Sequence, residues 1–327
     1  MTSTPHHRGL RIGAGYLFAA ACLVWVFHDL HPQRVLKQMT IERWAFLAPA
    51  VFFDVLTYVL QGWRWSLLLR PVGRVGVIRS TQAIYAGLFT NEILPLRIGE
   101  GVRAFLLSRW LDSPVSRVLP SMVVERLLDA LSLLSAAAFA AIVVPLPHYL
   151  SVAGDILGVV VLIGTAIFVS IVLREELGEQ QVQQPSSRIR RFVAELASGL
   201  RRIGVSSLLW ISLALSVALL LCQGLATYFV MLAFGLRLPL VAGLVVLFVI
   251  RLGTAIPNAP ANVGSFQFFA VVALAMYGVE KSAATAFSLV DFIVLTVPLW
   301  TLGLIAMLRC GFNLASLRTA ASTGLQS

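Results

Sequence analysis

The chain has 327 residues, of which 58% are hydrophobic and 12% charged, and carries a formal net charge of +10. A mean hydropathy of +0.88 and several apolar runs of ~18 or more residues exclude a water-soluble globular domain and specify an all-α polytopic membrane protein. The basic balance comes from 23 Arg and 2 Lys; with no nucleic-acid-binding module in the chain, it points to basic loops against anionic lipid.

In chain order, Leu10 to Phe27 predicts the first span, preceded by Arg8 and Arg11. Ala19-Ala20-Ala21-Cys22 resembles a lipoprotein cleavage box but lacks the large aliphatic residue before the small ones, so the segment is read as retained. Cys22, Cys222 and Cys310 are scattered in apolar surroundings, which indicates neither a disulfide framework nor a metal site. After a polar loop from His28 to Arg43, Trp44 to Leu69 predicts a second span. Its end, Trp63-Arg64-Trp65, reads as an aromatic and basic interfacial belt. Arg70, Arg74 and Arg79 mark a basic loop. The apolar runs Val77 to Thr90 and Ala104 to Leu111 follow; each is too short for a hydrocarbon core that needs ~20 helical residues.

Val118 to Val144 and Val152 to Leu173 predict further spans, separated by the charge-free turn Pro145 to Ser151. Arg174 to Arg202 is hydrophilic, with six arginines and four glutamates. Within it, Ile189, Phe192, Val193, Leu196, Leu200 and Ile203 repeat at helical spacing opposite Arg190, Arg191, Arg201 and Arg202. This is either an amphipathic helix on the cytoplasmic membrane surface or a solvated linker helix. Ser206 to Phe234 and Ala284 to Leu308 predict the last spans, with Pro239 to Ala255 and Phe266 to Tyr277 flanking a second polar stretch between them.

The two polar stretches answer each other. Pro95-Leu96-Arg97-Ile98-Gly99 aligns with Pro260-Ala261-Asn262-Val263-Gly264, sharing Pro, any residue, a polar residue, a β-branched residue and Gly. Counting positive charges, Arg8, Arg11, Arg70, Arg74, Arg79, the Arg174–Arg202 loop, Arg309 and Arg318 fall on one side only if the first stretch dips in and returns. The expected architecture is an inverted repeat of about six full spans plus two re-entrant helical hairpins, a plan many transporters use. It forms one domain over residues 10–309, with halves at about 10–145 and 152–309. Residues 174–203 are the cytoplasmic loop and 310–327 a cytoplasmic tail.

Non-helical backbone at membrane depth must be buried in protein or face water. Pro95 and Pro260 stop one half-helix, Gly99 and Gly264 permit the turn, and each returning helix aims its positive N-terminus inward, where it can meet a phosphate. Pro257 and Asn258 extend the second break, and Asn91, Asn262 and Gln267 offer amides. Between Asn91 and Asp129 lie Glu92, Glu100, Asp112, Glu125 and Asp129 with Arg97, Arg103, Arg109, Arg117 and Arg126. A charge in the bilayer costs at least ~2.5 kcal/mol and needs a partner or a task. One reading is a self-neutralising network, in which Arg126 is an internal ion-pair partner of Glu125 and Asp129. The other is a headgroup cavity, with Arg97 and Arg103 toward phosphate and Glu92, Glu100 or Glu125 toward a cationic part. Asp54 and Asp291 are lone acids that either cap a neighbour or line a pathway. The histidines, His6, His7, His28, His31 and His148, form no metal set, and no nucleophile elbow or Walker-type loop occurs. A paired-carboxylate membrane enzyme using Glu92, Glu100 or Glu125 and acting on lipid or lipid-linked substrates is the rival from another class, and an accessory subunit of a lipid-modifying assembly is a second.

Asn91-Glu92-x-x-Pro95-x-Arg97-x-Gly99-Glu100-x-x-Arg103, then Glu125-Arg126-x-x-Asp129, then Pro257-x-x-Pro260-x-x-x-Gly264-x-x-Gln267 resembles the flippase-like membrane family typified by the membrane region of lysylphosphatidylglycerol synthase. The resemblance covers about Leu10 to Leu308 and implies a multi-pass protein of the bacterial cytoplasmic membrane, termini inside, that moves a lipid or lipid-linked headgroup between leaflets. It implies a membrane lipid as partner, no cofactor, no nucleic acid and no enzymatic activity of its own. Some relatives carry Glu at Gln267. No soluble aminoacyl-transferase domain follows the last span, so a separately encoded lipid-modifying enzyme is the expected companion.

Overall fold

The computed structural model describes residues 5–28, 30, 33, 35, 38–94, 98–144, 147–173, 188–204, 206–255 and 259–310. Every regular element among them is helical: α1 (Pro5–Phe27), α2 (Leu47–Leu68), α3 (Val77–Ile93), α4 (Gly99–Trp110), α5 (Val115–Val143), α6 (His148–Leu173), α7 (Arg188–Ile203), α8 (Ser207–Ala233), α9 (Val241–Thr254), α10 (Ser265–Ala275) and α11 (Lys281–Arg309). Short 3-10 turns at Trp44–Phe46 and Pro260–Asn262 precede α2 and α10. Five helical stretches are long and apolar enough to cross a membrane: Trp44–Leu68, Val115–Val143, Leu150–Val172, Ser207–Ala233 and Lys281–Arg309. The expected sixth, Leu10 to Phe27, is not among these five, because the apolar part described there is the shorter run Gly15–Phe27.

Two hydrophobic clusters organise the bundle. One gathers Val26, Ala50, Val144, Leu150, Phe234, Ala242, Leu274 and Ala284. The other gathers Leu68, Ile84, Leu107, Val118, Phe168, Ile203 and Met307. Helices α2, α5, α6, α8 and α11 each contribute one end to each cluster, so the clusters lie at opposite ends of the bundle. The short helices behave differently. Buried residues of α3 and α4 enter only the second cluster, and those of α9 and α10 only the first. Each short helix also packs on its sequence neighbour, α3 on α4 and α9 on α10. The amphipathic helix α7 turns Leu200 and Ile203 into the second cluster and seats Gly199 on Pro120 of α5. Its apolar face therefore packs on the bundle over its C-terminal turns, while Phe192 stays exposed.

The paired glycines serve two different purposes. Gly264, with φ of 91°, precedes α10 in a backbone conformation that L side chains resist, and a Cβ there would also meet the Ala19 carbonyl of α1. Gly99 has no such dihedral. It is required by close approach, since a Cβ would drive into the Gly87 carbonyl and Asn91 Oδ1 of α3. Its N–H donates to Asn91 Oδ1 at 2.7 Å, tying the first turn of α4 to the end of α3. Gly99→Ala and Gly264→Ala are each expected to lower thermal stability of the detergent-solubilised protein. For Gly264 the backbone strain is ~1–3 kcal/mol. Gly99→Ala adds a clash with the Gly87 carbonyl, and Gly264→Ala a clash with the Ala19 carbonyl, so in both cases backbone must move. Unchanged unfolding of Gly99→Ala by intrinsic fluorescence would contradict the close packing of α3 on α4.

Candidate functional site

A cavity of about 510 Å³ lies between the two clusters. Its wall draws on both, with Tyr58 and Leu88 packed against one and Leu133 and Leu220 against the other. Seven charged side chains line it: Arg64, Glu92, Glu100, Arg103, Arg126, Asp129 and Arg251. Behind the wall lies Glu125, which is fully buried on α5. It is ion-paired with Arg103 of α4, accepts from Gln61 Nε2 at 3.0 Å and stands 3.7 Å from Arg64 Nη2. Arg64, only 1% exposed, forks between Asp129 Oδ1 at 2.6 Å and Ser216 Oγ at 2.7 Å. Arg103 also stacks 4.2 Å from the centroid of Trp65, whose Nε1 donates to Ser121 at 3.1 Å. Nearer the opening, Arg126 reaches Glu100 at 2.9 Å and Asp129 at 3.3 Å, and is 51% exposed.

This distribution revises two expectations. Trp63-Arg64-Trp65 is not an interfacial belt: Trp63 is exposed, but Arg64 and Trp65 are buried inside the bundle. Glu125 pairs with Arg103 and Arg64 from other helices and, as the sequence suggests, with Arg126 at 3.8 Å, which also meets Asp129. What differs is exposure, since Arg126 stands half-exposed at the open wall while Arg64 and Arg103 are buried. The physical reason is helical phase: Arg126, next to Glu125 in sequence, leaves α5 about 100° away around the helix.

Of the other residues the sequence singles out, Asn91, Glu92, Glu100, Arg103, Asp129, Pro260 and Asn262 line the cavity. Gly99 and Gly264 are packing and turn positions. Gln267 lies away from the wall, 2% exposed, with Oε1 accepting from the Gly264 N–H at 2.7 Å. Pro95, Arg97, Pro257 and Asn258 lie outside the described residues. Ala261 and Asn262 hold consecutive left-handed conformations, with φ of 56° and 54°, directly at the wall. Such strain collects where a site over-determines the backbone. Sequence reasoning missed Gln61, Arg64, Ser216, Gln223, Arg251 and Thr254, all of which line the cavity. A signal was present: Asp54, Thr57, Gln61 and Arg64 recur at three- and four-residue steps and so form one polar stripe along α2.

Removing one partner of a buried pair strands a charge and costs ~3–5 kcal/mol, whereas a half-exposed pair contributes ~0–1 kcal/mol. Arg103→Ala is therefore expected to unfold the protein or lower its yield sharply, with partial rescue by Glu125→Gln. Arg126→Ala should leave thermal unfolding close to that of the unmodified protein. Equal destabilisation by the two substitutions would contradict the layering of the network.

Comparison with known proteins follows this geometry. The chain is 22% identical over 208 residues to the UPF0104 membrane protein MJ1078 of Methanocaldococcus jannaschii, covering 61% of this chain and 84% of that protein. It is 28% identical over 129 residues to the glycosyltransferase AglD of Haloferax volcanii, covering 38% of this chain and 20% of that protein. Residues 12–303 match the family described as the lysylphosphatidylglycerol synthase TM region. Spanning nearly all of the helical bundle, that match makes the chain a member of the lysylphosphatidylglycerol synthase transmembrane-region family.

Proposed function

We propose that the chain is a translocator for a membrane lipid or lipid-linked headgroup, which passes through the polar cavity between the two apolar ends of the bundle. One observation carries the reading. In a cavity whose other charges are paired, among the described residues Arg251 near the end of α9 makes no ion pair and Glu92 near the end of α3 is met only by Trp300 Nε1 at 3.3 Å. A cation and an anion left available on opposite short helices suit a headgroup with a phosphate and a cationic or hydroxyl-bearing part. A volume of about 510 Å³ is in the range of small-molecule sites. The acyl chains would remain in lipid while the headgroup crosses the polar wall.

The short helices support re-entrant hairpins, since each pair stays within one cluster while the long helices run between both. The repeated order of long, long, short pair, long supports an inverted duplication, with α2 packed on α8 as the second long helix of each half. Arg70, Arg74, Arg79, Arg109, Arg117, Arg201, Arg202 and Arg309 flank the second-cluster ends of their helices; positive-inside bias then places that end in the cytoplasm. The half-helix arrangement is one that transporters use for midplane sites. We read the family relationship as favouring lipid handling, and the protein as a carrier rather than an enzyme.

The test is leaflet exchange in proteoliposomes, followed by accessibility of a labelled headgroup, across anionic and zwitterionic lipids. A charge-assisted contact contributes ~1.5–3 kcal/mol, so Arg251→Ala should slow exchange about tenfold or more. Arg251→Lys should recover part of it, keeping the charge without the planar fork. Thermal unfolding should change little, because no ion pair is lost. Chemical turnover of the lipid by the purified chain, without exchange, would establish the rival enzyme.

A further inference from the structure

The least compensated groups of the bundle lie outside the cavity network. Asp54 on α2 is 5% exposed and Asp291 on α11 is fully buried. Oδ2 of Asp54 and both carboxyl oxygens of Asp291 have no hydrogen-bond partner, and neither acid enters an ion pair among the described residues. Helices α2 and α11 pack on each other, and the two carboxyl groups are near enough to interact electrostatically. A third buried oxygen joins them. Tyr85 of α3 is 5% exposed, its hydroxyl is unpartnered, and it interacts with Asp54. Its ring packs on Tyr58 at a centroid distance of 5.1 Å, and Tyr58 lines the cavity.

The surroundings supply little positive charge. Tyr58 feels Asp54 and Tyr85, together with Arg251 from α9 and Glu92 from α3. From α5, Glu125, Arg126 and Asp129 are occupied with Arg64, Arg103 and Glu100. Cys222 and Tyr228 are the ionisable side chains of α8, and α10 carries none. Two bare carboxylates in such a place would each lose hydration and also repel one another. A bound proton removes the charge and supplies the missing hydrogen-bond donor. Among the described residues, no three His, Cys, Asp or Glu side chains come together to hold a metal instead.

We propose that Asp54, Asp291 and Tyr85 form a proton-binding site beside the cavity, which couples proton movement to lipid translocation. In this scheme a carboxylate oxygen of the pair takes up a proton from cavity water near Tyr58 and later returns it to water. The unpartnered Tyr85 hydroxyl would turn toward the Asp54 carboxylate and donate to it once that group is ionised. No bond other than O–H is made or broken. The coupling rests on the translocator reading, but the proton site itself does not.

The first experiment is infrared spectroscopy of the purified protein in detergent at neutral pH. A protonated-carboxyl C=O band that shifts in deuterated water is expected. Asp54→Asn and Asp291→Asn should each diminish it, and the double variant should remove it. No such band, or one untouched by both substitutions, would overturn the proton site. The second experiment imposes a pH gradient on proteoliposomes. Leaflet exchange by the unmodified protein should change severalfold with the gradient, and Asp291→Asn should abolish that response while still unfolding at a similar temperature. Gradient-insensitive exchange, or a response to sodium in place of protons, would overturn the coupling. Absence of any exchange would sink the translocator reading, leaving the infrared result to decide the site.

Discussion

Glu125 is the point on which the bundle depends. A carboxylate with no solvent access, inside a protein that itself replaces lipid, is tolerable only if cations reach it in fixed geometry. Arg103 from α4 and Arg64 from α2 provide them, with Gln61 filling a further lone pair. Three helices, α2 and the consecutive pair α4 and α5, are thus registered on one group. This registration fixes the position of the short helix α4 in the bundle, and the Gly99–Gly87 contact brings it against α3.

From that anchor the cavity follows. Arg64 is held on both sides, by Asp129 and Ser216, and so cannot swing out. Arg103 is held by Trp65 as well as by Glu125. The buried layer of the network is therefore scaffold, and the wall charges without an ion pair among the described residues are Glu92 and Arg251. The strained Ala261–Asn262 turn closes the opposite wall. Polar groups at the bundle centre with apolar clusters toward both ends make a layered arrangement, which suits a headgroup that enters at one end and leaves at the other.

Much of the helical plan was legible in the sequence, because long apolar runs bounded by Pro, Gly and Arg leave few alternatives. The boundaries of α5, α8 and α11 fall within about three residues of the hydropathic expectation. The charge cluster was legible as a cluster but not as a hierarchy. The pairing of Arg126 with Glu125 was legible, but only three-dimensional packing reveals that Arg64, 61 positions away from Glu125 in the chain, approaches the same carboxylate. Arg64 was hidden because its tryptophan neighbours, Trp63 and Trp65, carry the signature of a membrane interface. Arg251 was hidden as the single charge in an apolar helix. The matched Pro-to-Gly spacing pointed correctly to two breaks, yet the two glycines solve different problems, one of dihedral and one of contact.

The central claim is a water-filled polar cavity at the middle of the bundle that accepts a lipid headgroup. It is tested most directly by placing one cysteine at Gln223, a wall residue, after replacing Cys22, Cys222 and Cys310. The account predicts that a membrane-impermeant thiol reagent modifies Gln223→Cys in reconstituted protein and that a transported phospholipid slows the modification. Failure of the reagent to react from either side of the membrane, or modification indifferent to every phospholipid supplied, would contradict it.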